Sequence, residues 1–162
     1  MVARLLLVVA AALVARAALA GDDARREIRG EVEFRRLVGG SDRVFLVEFY
    51  SGMCAYCQQF EPTWLALAAR ANRLEPARVN IDAEGGETLA AALGVLDEGI
   101  PCVAVFGDAA AATSHDTLMA GEILPLSRLV KRVHRATKGR GLATDAEGFF
   151  LRRPATGFKK AR

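Results

Sequence analysis

Residues 45–64 join a buried strand to a helix, and they read Phe45-Leu46-Val47-Glu48-Phe49-Tyr50-Ser51-Gly52-Met53-Cys54-Ala55-Tyr56-Cys57-Gln58-Gln59-Phe60-Glu61-Pro62-Thr63-Trp64. The first six side chains are apolar or aromatic except for one glutamate, a pattern typical of a strand that is buried on both faces. Ser51 and Gly52 break this strand, and the residues after them favour a helix. The pair Cys54 and Cys57 is therefore predicted to lie where a buried strand turns into a helix.

The position of Cys54 at a helix N-terminus favours dithiol chemistry. Unpaired amides and the helix dipole at that end stabilise a thiolate, which is the reactive form of cysteine. Cys54 is therefore the predicted nucleophile in an exchange with a disulfide. Cys57 lies on the same helix face, within reach to resolve the mixed disulfide. A purely stabilising disulfide is a poorer interpretation, since a loop of four residues removes little chain entropy.

The other thiol and the two histidines do not form a recognisable metal site. The chain has three cysteines, so at least one thiol has no partner within the chain. A zinc site would need two ligands besides the Cys pair, and Cys102, His115 and His134 do not have metal-site spacing. Cys102 is most simply a small buried apolar residue. No metal or other bound cofactor is expected.

One carboxylate, Glu48, interrupts the apolar strand six residues before Cys54. Burying an unpaired charge is costly, so this side chain is expected to be protonated, solvated or turned outward. It is either a buried general base for Cys57, with its pKa raised by desolvation, or an edge residue that faces solvent. We favour the base, because the neighbouring residues are predicted to be buried on both sides of the strand.

The rest of the chain alternates strands and helices. The predicted elements are a helix at 31–38, a strand at 44–50, a helix at 54–74, a strand at 77–82, a helix at 87–93, strands at 102–106 and 116–120, and a last helix with Leu126, Leu129, Val130 and Val133 on one face. This order is βαβ followed by ββα. It predicts an α/β fold with a central mixed β-sheet and helices on both faces.

Several motifs together resemble the catalytic domain of protein disulfide isomerases, in the thioredoxin superfamily. The motifs are Leu46-Val47-Glu48-Phe49-Tyr50, Cys54-x-x-Cys57, Phe60-x-Pro62 and, downstream, Gly99-Ile100-Pro101. The resemblance covers residues 31–137 and implies a thioredoxin-like fold. It also implies a thiol–disulfide oxidoreductase that forms or exchanges disulfides in cysteine-containing polypeptides, with a thiol oxidase or glutathione as its redox partner.

The resemblance also implies roles for single residues. In the family, a carboxylate at the position of Glu48 lies beneath the dithiol and relays protons to the second cysteine. Ile100 and Pro101 match a pair that is joined by a cis peptide bond facing the active-site cysteines. The backbone of that pair offers substrate a strand-like partner. Ala55 and Tyr56, which lie between the cysteines, are expected to contact substrate as well.

Five residues depart from those that are usual in the family. Met53 replaces a Trp, Ala55-Tyr56 replace Gly-His, Gln58 replaces a Lys, and Glu122 stands where the family tends to place an Arg. Because the replaced groups assist the active site in the family, the resemblance does not predict the redox potential or the isomerase activity of this chain. Two other functions therefore stay open, a reductase of the thioredoxin type and a chaperone or adaptor domain with feeble redox activity.

Residues 1–20 are predicted to be a secretory signal peptide. A short basic start is followed by eleven uncharged residues, and Ala18-Leu19-Ala20 then gives a small-x-small cleavage pattern. The alternative is an uncleaved anchor, but a spanning helix needs ~20 apolar residues, and no other stretch is long enough. The signal peptide predicts that the chain enters the secretory pathway, where it is expected in the endoplasmic reticulum lumen or secreted. No Lys-Asp-Glu-Leu-type retention signal stands at the end of the sequence.

Charge divides the remaining chain in two. Residues 21–126 hold 9 basic and 17 acidic residues, net −8, whereas residues 127–162 hold 11 basic and 2 acidic residues, net +9. Residues 21–137 are predicted to form the thioredoxin-like domain. Residues 138–162 are predicted to be a basic, mostly disordered tail with one apolar spot at 149–151. Such a tail can bind nucleic acid, but nucleic acid is not an expected partner of a secretory chain.

Overall fold

The computed structural model describes residues 26–107, 113–138 and 141–152. The predicted signal peptide, residues 1–20, and the last ten residues of the predicted tail lie outside the described residues. Within the described part of the chain, no helix is long and apolar enough to cross a membrane.

The helices and strands follow the predicted order, with one short addition. In chain order they are α1 (Gly30–Phe34), which continues into a π-helical turn (Arg35–Gly39), β1 (Phe45–Tyr50), α2 (Ala55–Arg70), β2 (Glu75–Asn80), α3 (Gly86–Ala92), α4 (Val95–Glu98), β3 (Cys102–Phe106), β4 (Asp116–Ala120) and α5 (Leu126–Ala136). The π-helical turn overlaps the end of the helix predicted at 31–38, and the single turn of α4 is the addition.

The four strands described form one mixed sheet in the order β2-β1-β3-β4. β1 and β2 are parallel, with Tyr50 opposite Asn80 at their carboxyl ends. β3 runs antiparallel to β1, with Cys102 opposite Phe49. β3 therefore begins at the edge of the sheet where β1 and β2 end. The segments that follow β1 and β2 and precede β3 meet at this edge, and one of them carries the Cys pair.

Side chains of β1 are buried on both faces, as the apolar run predicts. Leu46 packs in a core with Trp64 of α2 and Leu129 of α5. Phe49 packs on the other face with Leu89 of α3 and other apolar residues. Alternation along the strand places Glu48 on the same face as Leu46, beneath α2. The structure therefore confirms the predicted α/β fold, a thioredoxin-like central mixed sheet with helices on both faces.

The connection between α2 and β2 differs from the prediction. The helix ends at Arg70 rather than near residue 74, and the strand begins at Glu75, so Pro76 lies in β2. Arg78 donates its N–H away from β1, to the carbonyl oxygen of Arg26 at 2.8 Å. Alternation directs the Pro76 nitrogen the same way, so its missing N–H removes no bond between β2 and β1.

Residues 141–152 pack against the domain, which corrects the predicted disorder for this part of the tail. The Phe150 side chain is buried in the core beneath α2 and α5. Arg43 makes ion pairs with Asp145, at 2.8 Å, and with Glu147. The prediction of disorder rested on the excess of basic residues in the tail, and composition does not show which charges pair. The two acidic residues of the tail both face this one arginine.

Candidate active site

The loop after β1 and the first turn of α2 place the two cysteines side by side. Cys54 has extended backbone angles and caps α2, because its Sγ accepts the N–H of Cys57 at 3.2 Å. Both are free thiols. Cys54 is half-buried, whereas Cys57 is only 2% exposed. The pair thus has one sulfur that solvent reaches and one that the protein covers.

The backbone that leads into the Cys pair is fixed by Asp82, which follows β2. Its carboxylate accepts the hydroxyl of Ser51 at 2.8 Å and the N–H of Gly52 at 2.7 Å. The Gln58 side chain donates back to the Gly52 carbonyl oxygen at 2.7 Å. The loop before the nucleophile is therefore held from the neighbouring strand and from the helix.

Burial keeps Cys57 protonated. Desolvation and the hydrogen bond with Cys54 raise the pKa of the Cys57 thiol to about 12, and the charge of Glu48 adds to this. At neutral pH the thiolate of Cys57 is therefore costly to form without a base. Glu48 lies on β1 beneath α2, the helix that carries Cys57, and its charge disfavours the Cys57 thiolate.

Glu48 is completely buried, so the alternative of an edge residue facing solvent is wrong. Burial raises the pKa of its carboxyl from an ordinary 4.5 to about 7, although the nearby Arg78 opposes the shift. Arg78 donates from Nε to Glu48 Oε2 at 2.7 Å. The sequence alone predicts a protonated, solvated or outward-facing Glu48 and does not reveal this ion pair. A buried carboxyl with a pKa near neutral, whose charge acts on a buried thiol, has the properties of a general base.

Arg78 is the centre of a polar cluster that the sequence analysis did not find. Its guanidinium also donates to both oxygens of Glu61 on α2. It lies over the ring of Tyr50, 4.0 Å from the centroid, and the Tyr50 hydroxyl donates to Glu27 at 2.7 Å. A signal was present in the sequence, because an arginine interrupts an otherwise strand-like run between Ala77 and Ile81.

The peptide bond between Ile100 and Pro101 is cis, as the resemblance implies. The pair directly precedes β3, at the edge of the sheet where β1 ends and the Cys54 loop begins. Ile100 is half-buried and Pro101 is buried. Ala55 and Tyr56 are exposed on the first turn of α2, with the Tyr56 side chain 61% accessible. These predicted substrate contacts thus share one end of the molecule with the Cys pair.

Cys102 is fully buried in β3, as a small apolar residue would be. Desolvation, with a smaller effect of Glu98, raises the pKa of its thiol to about 12. His115 packs its ring against Phe106, and His134 is exposed on α5. Among the residues described here, no cluster of three or more His, Cys, Asp or Glu is arranged to hold a metal ion.

Comparison with known proteins places these features in a family. The family model described as Thioredoxin matches residues 27–125. Protein disulfide-isomerase A6 of Homo sapiens is 32% identical over 76 residues, which are 45% of this chain and 17% of that protein. The Mesocricetus auratus protein of the same name is 30% identical over 86 residues, 51% of this chain and 19% of that protein. The match thus spans less than a fifth of these curated relatives.

Solved structures share the fold. A mutant thioredoxin from Halobacterium salinarum NRC-1 superimposes with a TM-score of 0.54 at 25% identity, covering 69% of this chain and 89% of that chain. The first thioredoxin domain of mouse protein disulfide-isomerase A4 gives a TM-score of 0.52 at 19% identity, covering 79% of this chain and 84% of that chain. At that identity, the second likeness shows the fold alone.

Proposed function

Since the chain belongs to the thioredoxin family and is a thioredoxin-fold oxidoreductase, we propose that it forms or exchanges disulfide bonds in polypeptides through the Cys54/Cys57 dithiol. One observation carries the proposal. The half-buried sulfur of Cys54 caps α2 by accepting the N–H of Cys57, whose own thiol is buried and feels the charge of the buried Glu48 carboxyl. This asymmetry gives the two sulfurs and Glu48 different tasks.

The reaction of the reduced protein proceeds in two displacements. The Cys54 thiolate attacks a substrate disulfide, so that one substrate sulfur leaves as a thiolate and the other stays bound to Cys54. Cys57 then transfers its proton to the Glu48 carboxylate and attacks the Cys54 sulfur. The second substrate thiolate leaves, and the protein holds a Cys54–Cys57 disulfide. Two electrons have passed to the substrate, and the reverse sequence oxidises a substrate dithiol.

The dithiol must be returned to its starting state after each net oxidation or reduction. After a net oxidation of substrate, oxidised glutathione or a thiol oxidase would accept the two electrons from the dithiol, and after a net reduction, reduced glutathione would supply two electrons to the disulfide. Polypeptide substrates would lie across Ile100 and Pro101, with backbone pairing, and against the exposed side chains of Ala55 and Tyr56. This substrate surface rests on the common placement of these residues with the Cys pair at one end of the sheet.

We place this activity in the secretory pathway, in the endoplasmic reticulum lumen or outside the cell. The proposal rests on the signal-like pattern of residues 1–20. An oxidising compartment is also where disulfide formation in polypeptides is useful chemistry. Detection of the mature chain beginning near Gly21 in the lumen or in the medium supports this location. An intact N-terminus on a cytosolic protein contradicts it.

The redox equilibrium of the Cys pair against a glutathione buffer tests the function. A Cys102→Ser background leaves only the two candidate thiols, and a Cys102→Ser, Cys57→Ser variant is the matched control that cannot close the disulfide. A midpoint near roughly −180 mV supports disulfide formation and exchange, whereas about −270 mV makes the protein a reductant. If no reversible disulfide forms, the oxidoreductase proposal fails and a binding module takes its place.

Trapping tests the division of labour between the two sulfurs. Cys57→Ser is expected to accumulate a mixed disulfide with an unfolded, cysteine-containing polypeptide, because the resolving thiol is gone. Cys54→Ser is expected to trap none. Non-reducing electrophoresis followed by mass spectrometry identifies the bonded cysteine. Equal trapping by both variants would contradict the assignment of Cys54 as the nucleophile.

A further inference from the structure

The guanidinium of Arg78 is divided unequally between two carboxylates. Its fork, Nη1 and Nη2, donates to the two oxygens of Glu61, with Nη1 at 3.2 Å from Oε1. Glu48 receives only the side donor Nε, at 2.7 Å from Oε2. Glu48 Oε1 has no hydrogen-bond partner among the described residues. The partly exposed carboxylate of Glu61 thus accepts two hydrogen bonds from Arg78, whereas the buried carboxylate of Glu48 accepts one.

The cluster has fewer positive than negative groups. Arg78 is its cation, whereas the negative charges of Glu61 and Glu27 both act on Glu48. The Glu61 side chain is 37% exposed and Glu48 is fully buried. Because water stabilises the charge on Glu61 far better, Glu48 is the member of the cluster that takes up a proton.

We propose that Glu61 is a positioning residue which, by holding the fork of Arg78, leaves Glu48 able to carry a proton at neutral pH. The inference rests on the proposed function only in the use of that proton, which Glu48 accepts from Cys57 when the mixed disulfide is resolved. Glu61 touches neither reacting sulfur in this assignment. It acts through Arg78, from the helix that carries the dithiol.

Titratable and charged groups face Glu48 from several elements of the fold. They are Tyr50 on β1, Arg78 on β2, Cys57 and Glu61 on α2, and Glu27 in the segment before α1. On β3 the residue opposite Glu48 is Val103, which carries no charge. Arg78 favours the ionised form of Glu48, whereas Glu61 and Glu27 disfavour it. Removal of the Glu61 charge is therefore expected to favour the ionised form of Glu48.

The substitution Glu61→Gln tests the inference. It removes a negative charge near Glu48 and frees the Arg78 fork to bind Glu48, so the Glu48 carboxyl is expected to titrate at a lower pH, by about one pH unit. Arg78→Gln is expected to move the titration the other way, to higher pH. Glu31→Gln on α1 is the matched control, because it neutralises an exposed glutamate that is likewise paired with an arginine, Arg35.

The measurement is a pH titration of the Glu48 carboxyl carbon by NMR in the reduced, full-length protein, with Glu48→Gln to assign the signal. An acid shift in Glu61→Gln, with no shift in Glu31→Gln, supports the inference. An unchanged or alkaline shift in Glu61→Gln overturns it. This readout needs no catalytic turnover, so it stands even if the chain proves to have no oxidoreductase activity.

A second measurement asks whether the proton is used in the reaction. In a single turnover with a peptide disulfide, release of the second peptide thiol reports the resolution step. Its pH midpoint is expected to move to lower pH in Glu61→Gln, in step with the NMR titration. A shifted titration with an unshifted rate profile would keep Glu61 as the residue that positions Arg78 and reject Glu48 as the base in resolution.

Discussion

At the scale of single residues, the candidate site is governed by the cost of burying ionisable groups. Glu48 and Cys57 are both covered, and both therefore resist ionisation. Arg78 only partly offsets the cost of burying the Glu48 charge, because its guanidinium is shared with Glu61. Near neutral pH the Cys57 thiol holds its proton, whereas the Glu48 carboxyl, with a pKa of about 7, is partly ionised, so one proton can pass from the thiol to the carboxylate.

The burial of Glu48 predicts a pH-dependent stability. Between its unfolded pKa of about 4.5 and its folded pKa of about 7, the folded protein holds a proton that the unfolded chain has lost, so the free energy of unfolding falls as the pH rises. Glu48→Gln has no such proton. In the reduced protein, its stability relative to the wild type is therefore expected to rise from pH 4.5 to pH 7, by on the order of 3 kcal/mol.

Urea unfolding of both proteins across this pH range checks the prediction. The contributions of groups that do not interact with Glu48 cancel when the two curves are subtracted. A difference that stays constant with pH would mean that Glu48 titrates as an ordinary exposed carboxyl.

The unequal cover of the thiols predicts selective alkylation. At pH 7.5, iodoacetamide is expected to modify Cys54 in the folded, reduced protein and to leave Cys57 and Cys102 intact, because the pKa of each of these two buried thiols is raised to about 12. Peptide mass mapping against a urea-unfolded control gives the order of reaction. Equal modification of Cys54 and Cys57 would contradict the burial of the second thiol.

At the scale of elements, the site is made by two neighbouring strands that end together. β1 leads into the loop with Ser51 and Gly52, and parallel β2 leads to Asp82, so pairing of the strands delivers the carboxylate to the loop. The helix α2 then starts from a loop that is already fixed. The geometry of Cys54 thus depends on a residue that lies 28 positions further along the chain.

Asp82→Ala is expected to loosen this loop. The hydroxyl of Ser51 and the N–H of Gly52 lose their acceptor, and the loss of such hydrogen bonds costs about 1–2 kcal/mol. Denaturant unfolding measures the cost, and hydrogen exchange of the Gly52 amide is expected to become faster. Asp82→Asn keeps one acceptor oxygen and should lose less. An equal loss in both variants would point to the charge rather than to the two hydrogen bonds.

At the scale of the whole molecule, residues 141–152 close the end of the sheet opposite the cysteines. The N–H of Val44, just before β1, binds the carbonyl oxygen of Phe150 at 2.9 Å, and the N–H of Phe150 binds that of Arg73 at 2.9 Å. Arg152 donates to the carbonyl oxygen of Val38 at 2.7 Å. This segment therefore ties together the α1 region, the start of β1 and the end of α2.

Phe150→Ala is expected to lower the stability without changing the dithiol. Removing a buried phenyl ring costs about 3 kcal/mol, which corresponds to a fall in Tm of about 6–12 °C in a chain of this size. Phe149→Ala is the matched control, because the Phe149 ring is half-buried and stacks on the guanidinium of Arg43 at 4.2 Å. Calorimetry and the rate of Cys54 alkylation are the two readouts.

The comparison of the two phenylalanine variants tests this prediction. Phe149→Ala is expected to lower the Tm less than Phe150→Ala does. The rate of Cys54 alkylation is expected to stay unchanged in both variants, because residues 141–152 are distant from the cysteines. Equal and small effects would mean that the segment contributes little to the fold.

Several features of this protein follow from local patterns in its sequence. Alternation and apolar runs placed the strands near their observed ends, and the break at Ser51 and Gly52 located the start of the cysteine helix. Spacing paired Cys54 with Cys57, and the apolar neighbours of Glu48 indicated its burial. All of these signals lie within a few residues of one another, where backbone geometry and side-chain period are sufficient.

The pairing of charges that are distant in the sequence depends instead on how the elements pack. Glu48 finds Arg78 thirty residues away, and Arg43 finds Asp145 at a separation of 102 residues. Composition cannot supply such pairings, because it records how many charges a segment carries and not which of them face each other. The packing of the sheet and its helices sets these distances, and with them the proton affinity of Glu48 and the ordering of residues 141–152.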